Sequence, residues 1–148
     1  MNIKTARHFI ATCAIAIAYL SLPTTAHALS ASKYTTQSQL ATGRWVKIAI
    51  PEDGIYELTE QELLEMGFAD ASRVKLFGQG GHMIKELLDN TFTDDLTPVP
   101  VARMDGKMCF YACGPVNVYY NVSSESFTRS INAYSTMGYY FLTDADDK

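Results

Sequence analysis

From Arg44 onward the apolar residues fall in short runs, each closed by Gly, Pro, Asn or Asp, and that punctuation suits strands far better than helices. In the first run Val46, Ile48 and Ile50 take one face while Trp45 and Lys47 take the other, the two-residue period of a half-buried strand. Pro51-Glu52-Asp53-Gly54 supplies turn chemistry before a second run, Ile55 to Leu58, and the pair is predicted to form a hairpin. Further strands are expected at Val74–Phe77, which ends in Gly78-Gln79-Gly80-Gly81, and at Val99–Arg103 and Met108–Cys113 on either side of Asp105-Gly106. Val116–Val122 and Tyr139–Thr143 complete the set, Ile84–Leu88 fits either type, and Asn90–Thr97 reads as loop.

One helix interrupts this pattern. Thr59-Glu60-Gln61-Glu62 has the capping-box spacing, Leu58 and Leu63 stand where a hydrophobic staple needs them, and Gly67 occupies the left-handed position after the last turn, with Phe68 closing back on Leu63. The predicted fold is mainly β (α+β), a β-sandwich-like or twisted antiparallel sheet with one short helix at about 59–66, and not a parallel βαβ array.

The N-terminus has a different character. Lys4 and Arg7 precede an apolar stretch from Phe9 to Leu22, followed by Pro23 and the small-residue pattern Ala26-His27-Ala28, the organisation of a secretory signal peptide cut after Ala28. Its apolar core, about 14 residues, is shorter than the roughly 20 that cross a bilayer, so no transmembrane span is expected after cleavage. Residues 29–42, rich in Ser, Thr and Gln, read as a flexible segment, and 43–148 as one β-rich domain. With 12 basic and 16 acidic residues in the whole chain, loss of Lys4 and Arg7 leaves 10 − 16 = −6, a charge ill suited to nucleic acid.

Little in the remainder announces chemistry. The Gly78–Gly81 run lacks the helix behind it that a phosphate-cradling loop requires and reads as a turn. His82 is the one histidine after residue 28, so any Cys–His pair must join it to Cys109 or Cys113; the plainer expectation is an exposed turn histidine and two small strand residues. On an extended strand the cysteines would stand about 13 Å apart, too far for a disulfide. One His and two Cys fall short of a four-ligand zinc site. Asp89, Asp94 and Asp95, and likewise Asp144, Asp146 and Asp147, lack the spacing of a calcium loop and read as solvated carboxylates. No catalytic residue, cofactor site or metal site is therefore assigned. Of the pairs Tyr119/Tyr120 and Tyr139/Tyr140, one member each is expected in the core and the other outside, where it would be free to hold glycan or protein.

The ordered series Gly43-Arg44-Trp45-Val46-Lys47-Ile48, Asp53 to Thr59, Leu64 to Phe68, Val74 to Gly78 with Gly80-Gly81, Asp94-Asp95-Leu96 with Pro98-Val99-Pro100-Val101, Phe110-Tyr111-Ala112 with Gly114-Pro115, and Tyr134-Ser135 with Gly138 to Thr143 resembles the N-terminal region of the PorU-type sortases of the type IX secretion system, gingipain-like cysteine peptidases. The resemblance implies an exported domain in the periplasm or at the outer-membrane surface of a Gram-negative bacterium. Its expected partners are proteins of the secretion machinery or a neighbouring peptidase domain. In that family the catalytic histidine and cysteine lie downstream of such a region, and nothing in this sequence matches their motifs. The resemblance thus implies a non-catalytic or truncated form of the sortase; the alternative is a free-standing secreted binding module using exposed tyrosines around Tyr119 and Tyr139.

Overall fold

The computed structural model describes residues 34–84 and 91–146. The expected signal peptide, and Asp89 and Asp147 with it, lie outside these residues. Among them nine strands form three antiparallel sheets, accompanied by one α-helix. The first sheet has the order β1 (Val46–Ile50), β9 (Gly138–Thr143), β3 (Lys75–Gly78), β4 (Pro98–Val99), and the second β2 (Gly54–Thr59), β6 (Lys107–Ala112), β5 (Ala102–Met104). The third is a two-stranded ribbon of β7 (Val116–Asn121) and β8 (Ser126–Ile131).

The core forms where alternation in the two larger sheets points inward. Met108, Phe110 and Ala112 of β6 are buried, as are Tyr140 and Leu142 of β9 and Leu76 of β3. Ile50, Leu63, Phe68 and Val74 join them in a single cluster. The expected hairpin of β1 with β2 does not form. β1 pairs with β9, from Val46↔Leu142 to Ile50↔Gly138, and β2 pairs with β6, from Gly54↔Ala112 to Thr59↔Lys107. Ile50 from one sheet and Tyr56 and Leu58 from the other pack on a common core, so the turn at residues 51–53 carries the chain between sheets. The β5–β6 hairpin does form: Met104 pairs with Lys107, and Asp105 and Gly106 between them have φ of 51° and 71°, the signs of a type I′ turn.

The helix α1 (Glu60–Glu65) is built as its sequence requires. Glu62 N–H donates to the Thr59 hydroxyl at 3.2 Å, while the Glu62 carboxylate accepts from Thr59 N–H at 2.7 Å. At the other end Phe68 N–H donates to Leu63 O and Gly67 N–H to Leu64 O, with Gly67 at φ 88°, a Schellman closure. The Arg44 guanidinium, set over the Phe68 ring, hydrogen-bonds the Met66 and Gly67 carbonyls, placing a cation where the helix dipole is negative. Thr59→Ala is expected to cost about 1 kcal/mol in urea unfolding. The Thr59 backbone and side-chain hydrogen bonds hold the Glu62 carboxyl below its usual range, so its contribution is complete above the unfolded-state value and is lost as pH falls through the folded one. The variant should therefore lose less stability than the parent on acidification.

Residues ahead of β1 are tied to the loop before β4. Thr35 N–H donates to Asp94, and the Ser38 hydroxyl and Gln39 N–H donate to Asp95. Asp146 pairs with Arg73. No helix among the described residues is long and apolar enough to cross a membrane.

Candidate functional site

Three connections meet at one end of the two larger sheets: the β1–β2 turn, the residues after β3, and the link from β6 to β7. The last two are joined backbone to backbone, the segment after β8 adds a further main-chain bond, and the β1–β2 turn is held through the Asp53 side chain. Gly81 N–H donates to Cys113 O at 3.0 Å, and Asn132 N–H to Pro115 O at 2.8 Å. The Asn132 side-chain amide donates to Gly81 O, and Gly114 N–H donates to the Asp53 carboxylate, at 2.7 and 2.8 Å. Glycine permits this approach. A Cβ on Gly114 would stand 2.6 Å from Glu52 Cα, and one on Gly138 only 2.2 Å from Cys113 O.

The junction brings Asp53, His82 and Cys113 together, with one ligand-type atom from each within 4.8 Å of the others. His82 Nε2 lies 3.5 Å from Asp53 Oδ1 and has no hydrogen-bond partner although the atom is shielded from solvent. The approach satisfies an ion-pair distance without hydrogen-bond geometry, so we regard Nε2 as unsatisfied. The expectation of an exposed turn histidine is thus corrected, since only 29% of the His82 side chain is exposed. The Gly-rich run before it bends to lay the ring against the β6–β7 link, with Gly80 at φ 86°.

Cys113 is also repositioned. It follows β6 rather than belonging to it, and its N–H donates to the Tyr140 hydroxyl at 2.8 Å. Cys109, on the strand opposite Glu57, is not part of the cluster, and neither cysteine is in a disulfide. Burial, and then the Asp53 charge, push the Cys113 thiol up, against weaker opposing hydrogen bonds from Tyr140 and Tyr111. Tyr111 is itself raised, chiefly by Asp53. A nucleophilic cysteine needs the reverse, a positive neighbour that favours thiolate.

On its other side His82 borders a cleft of about 540 Å³, whose walls include Phe92, Met137 and Tyr139. Tyr139 is partly exposed beneath the Lys47 ammonium, 3.5 Å from its ring centroid, while Tyr140 is buried, as alternation predicts. That rule fails at Tyr119 and Tyr120, exposed by 45% and 52%. The β7–β8 ribbon is paired with neither larger sheet, and Val118, Val122, Phe127 and Ile131 are exposed with them. Tyr120 and Phe127 meet edge to face at 5.5 Å.

No protein-family model matches the chain, and no curated protein matches it. Among solved structures the chain is similar to the crystal structure of dimeric latent PorU from Porphyromonas gingivalis, with 47% identity over 72% of this chain and a TM-score of 0.69. The chain spans 10% of the length of that protein. Identity at this level over a shared fold marks common descent with that region.

Proposed function

We propose that this chain, a homologue of a small region of PorU, is a non-catalytic domain of a PorU-like sortase that acts in type IX secretion at the outer membrane by holding a protein partner. One observation carries the reading: the β7–β8 ribbon presents Val118, Tyr120, Phe127 and Ile131 to solvent on one face, where the register sets Tyr120 directly opposite Phe127. An isolated two-stranded ribbon is marginal in water, and an exposed apolar face of this kind marks a protein contact. Aliphatic Val118 and Ile131 among the aromatics suit a protein surface better than a glycan ring. The partner we assign is the sortase peptidase domain, the neighbour that the family relationship supplies.

The test is calorimetric titration of the chain with the peptidase domain of a PorU-type sortase from the same bacterium. A buried aromatic anchor is worth about 2 kcal/mol or more, so Phe127→Ser should weaken binding about 30-fold while leaving the two larger sheets intact by circular dichroism. Absence of binding by the parent chain, or equal binding by the variant, refutes the proposal.

A further inference from the structure

We propose that Asp53, His82 and Cys113 form a metal site for a borderline divalent cation, zinc being the type case, which staples the three connections at the end of the sheets. The donor set is one carboxylate oxygen, one imidazole nitrogen and one sulfur. These are the three donor types zinc takes from proteins, and hard cations such as calcium and magnesium prefer oxygen alone. Two cysteines and one histidine, the residues the sequence suggests, do not make up this set. Cys109 does not belong to the set, and Asp53, distant in sequence, does.

Geometry supports the assignment. Oxygen and nitrogen ligands at about 2.0–2.1 Å from a tetrahedral metal stand about 3.3 Å apart, and either stands about 3.6 Å from a sulfur at about 2.3 Å. The Asp53 to His82 separation is 3.5 Å, already near that edge. With every pair within 4.8 Å, the widest must close by no more than ~1.2 Å, a side-chain rotation rather than a rearrangement of the chain.

The second observation is independent of ligand spacing. His82 Nε2 is shielded from water and unpaired, a costly state for a polar atom left without a partner. A cation held between Nε2, the Asp53 carboxylate and the Cys113 sulfur would satisfy it. The scaffold around the trio is fixed before any ion arrives. Gly114 N–H orients the Asp53 carboxylate, Tyr140 holds the Cys113 backbone, and Gly81, next to His82, is bonded to Cys113 O. On binding, the thiol releases its proton to solvent, sulfur donates an electron pair to the metal, and a water fills the fourth position.

The experiment uses the full chain, reduced, freed of metal with chelator and titrated with cobalt(II) as a spectroscopic substitute for zinc. The expected result is a near-ultraviolet sulfur-to-cobalt charge-transfer band that saturates at one equivalent and is displaced by zinc but not by magnesium or calcium. Cys113→Ser should abolish the band, His82→Gln should weaken the apparent affinity at least tenfold, and Cys109→Ser should change neither. No band in the parent chain overturns the proposal, as does a band that survives Cys113→Ser or that is lost only in Cys109→Ser. Where Cys113→Ser fails to fold by circular dichroism, His82→Gln decides, because its ring is partly exposed and its loss leaves no packing defect in the core. Unchanged affinity in that variant overturns the site.

Discussion

Replacing Gly138 by alanine is expected to destabilise the domain by about 3 kcal/mol, at the upper end of what one inserted methyl costs in a packed structure. The position explains the size. The new Cβ would fall 2.2 Å from Cys113 O and 3.1 Å from Gly81 N, both main-chain atoms. A side chain in the way could rotate, but here two connections must be pushed apart. Those two atoms belong to the residues joined by the Gly81 to Cys113 hydrogen bond, so the wedge loads the bond itself. For a domain of this size the loss corresponds to a fall in Tm of roughly 10–20 °C. Thermal unfolding followed by circular dichroism measures it, and a shift of a degree or two would mean that the three connections do not pack as described. Because His82 follows Gly81 directly, the same variant should also bind cobalt more weakly.

Local chemistry was the readable part of this sequence. The capping box at Thr59, the Gly67 closure and the Asp105-Gly106 turn each depend on residues within a few positions of one another, and all three form as written. Partner choice between strands was not readable. The alternation of Val46, Ile48 and Ile50 says which side chains face a core, but not whether the next strand or one ninety residues later completes the ladder, and β1 took β9. β8 was missed because Phe127 and Ile131 are separated by Thr128, Arg129 and Ser130, leaving no apolar run; the ladder with β7 makes it a strand. The cluster of Asp53, His82 and Cys113 was invisible for a similar reason. Each residue sits in a different connection, and Asp53 read simply as turn chemistry. The signal that pointed there was the glycines at the junction, Gly81 and Gly114 in two of the connections and Gly138 at the start of β9, where backbones approach too closely for a Cβ. Glycines that serve close approach look no different in one sequence from glycines that serve a turn.

Leu142→Ala should test the core separately from the site. Leu142 is fully buried in β9, between Val46 of β1 and Leu76 of β3, and belongs to the central cluster. A buried Leu→Ala change costs 2–5 kcal/mol, roughly, according to how far the surroundings collapse into the cavity. Here both flanking strands are held by ladder hydrogen bonds, and the opposite sheet is fixed by its own pairing, so little collapse is available. A loss of about 3–5 kcal/mol is expected, read as a lower urea midpoint with an unchanged slope. Against a total stability of about 5–15 kcal/mol for domains of this kind, such a loss leaves a folded but fragile protein. Leu142→Met, which nearly conserves volume, should lose less than about 1.5 kcal/mol. The contrast with Gly138→Ala is informative because both residues lie on one strand, four positions and roughly 13 Å apart. A cavity at Leu142 weakens the packing between sheets without touching the connections that hold Asp53, His82 and Cys113. Leu142→Ala should therefore keep the cobalt stoichiometry and spectrum of the parent at temperatures where it remains folded. If it instead lost metal binding in step with Gly138→Ala, the trio would be a product of overall core packing rather than of the glycine-built junction.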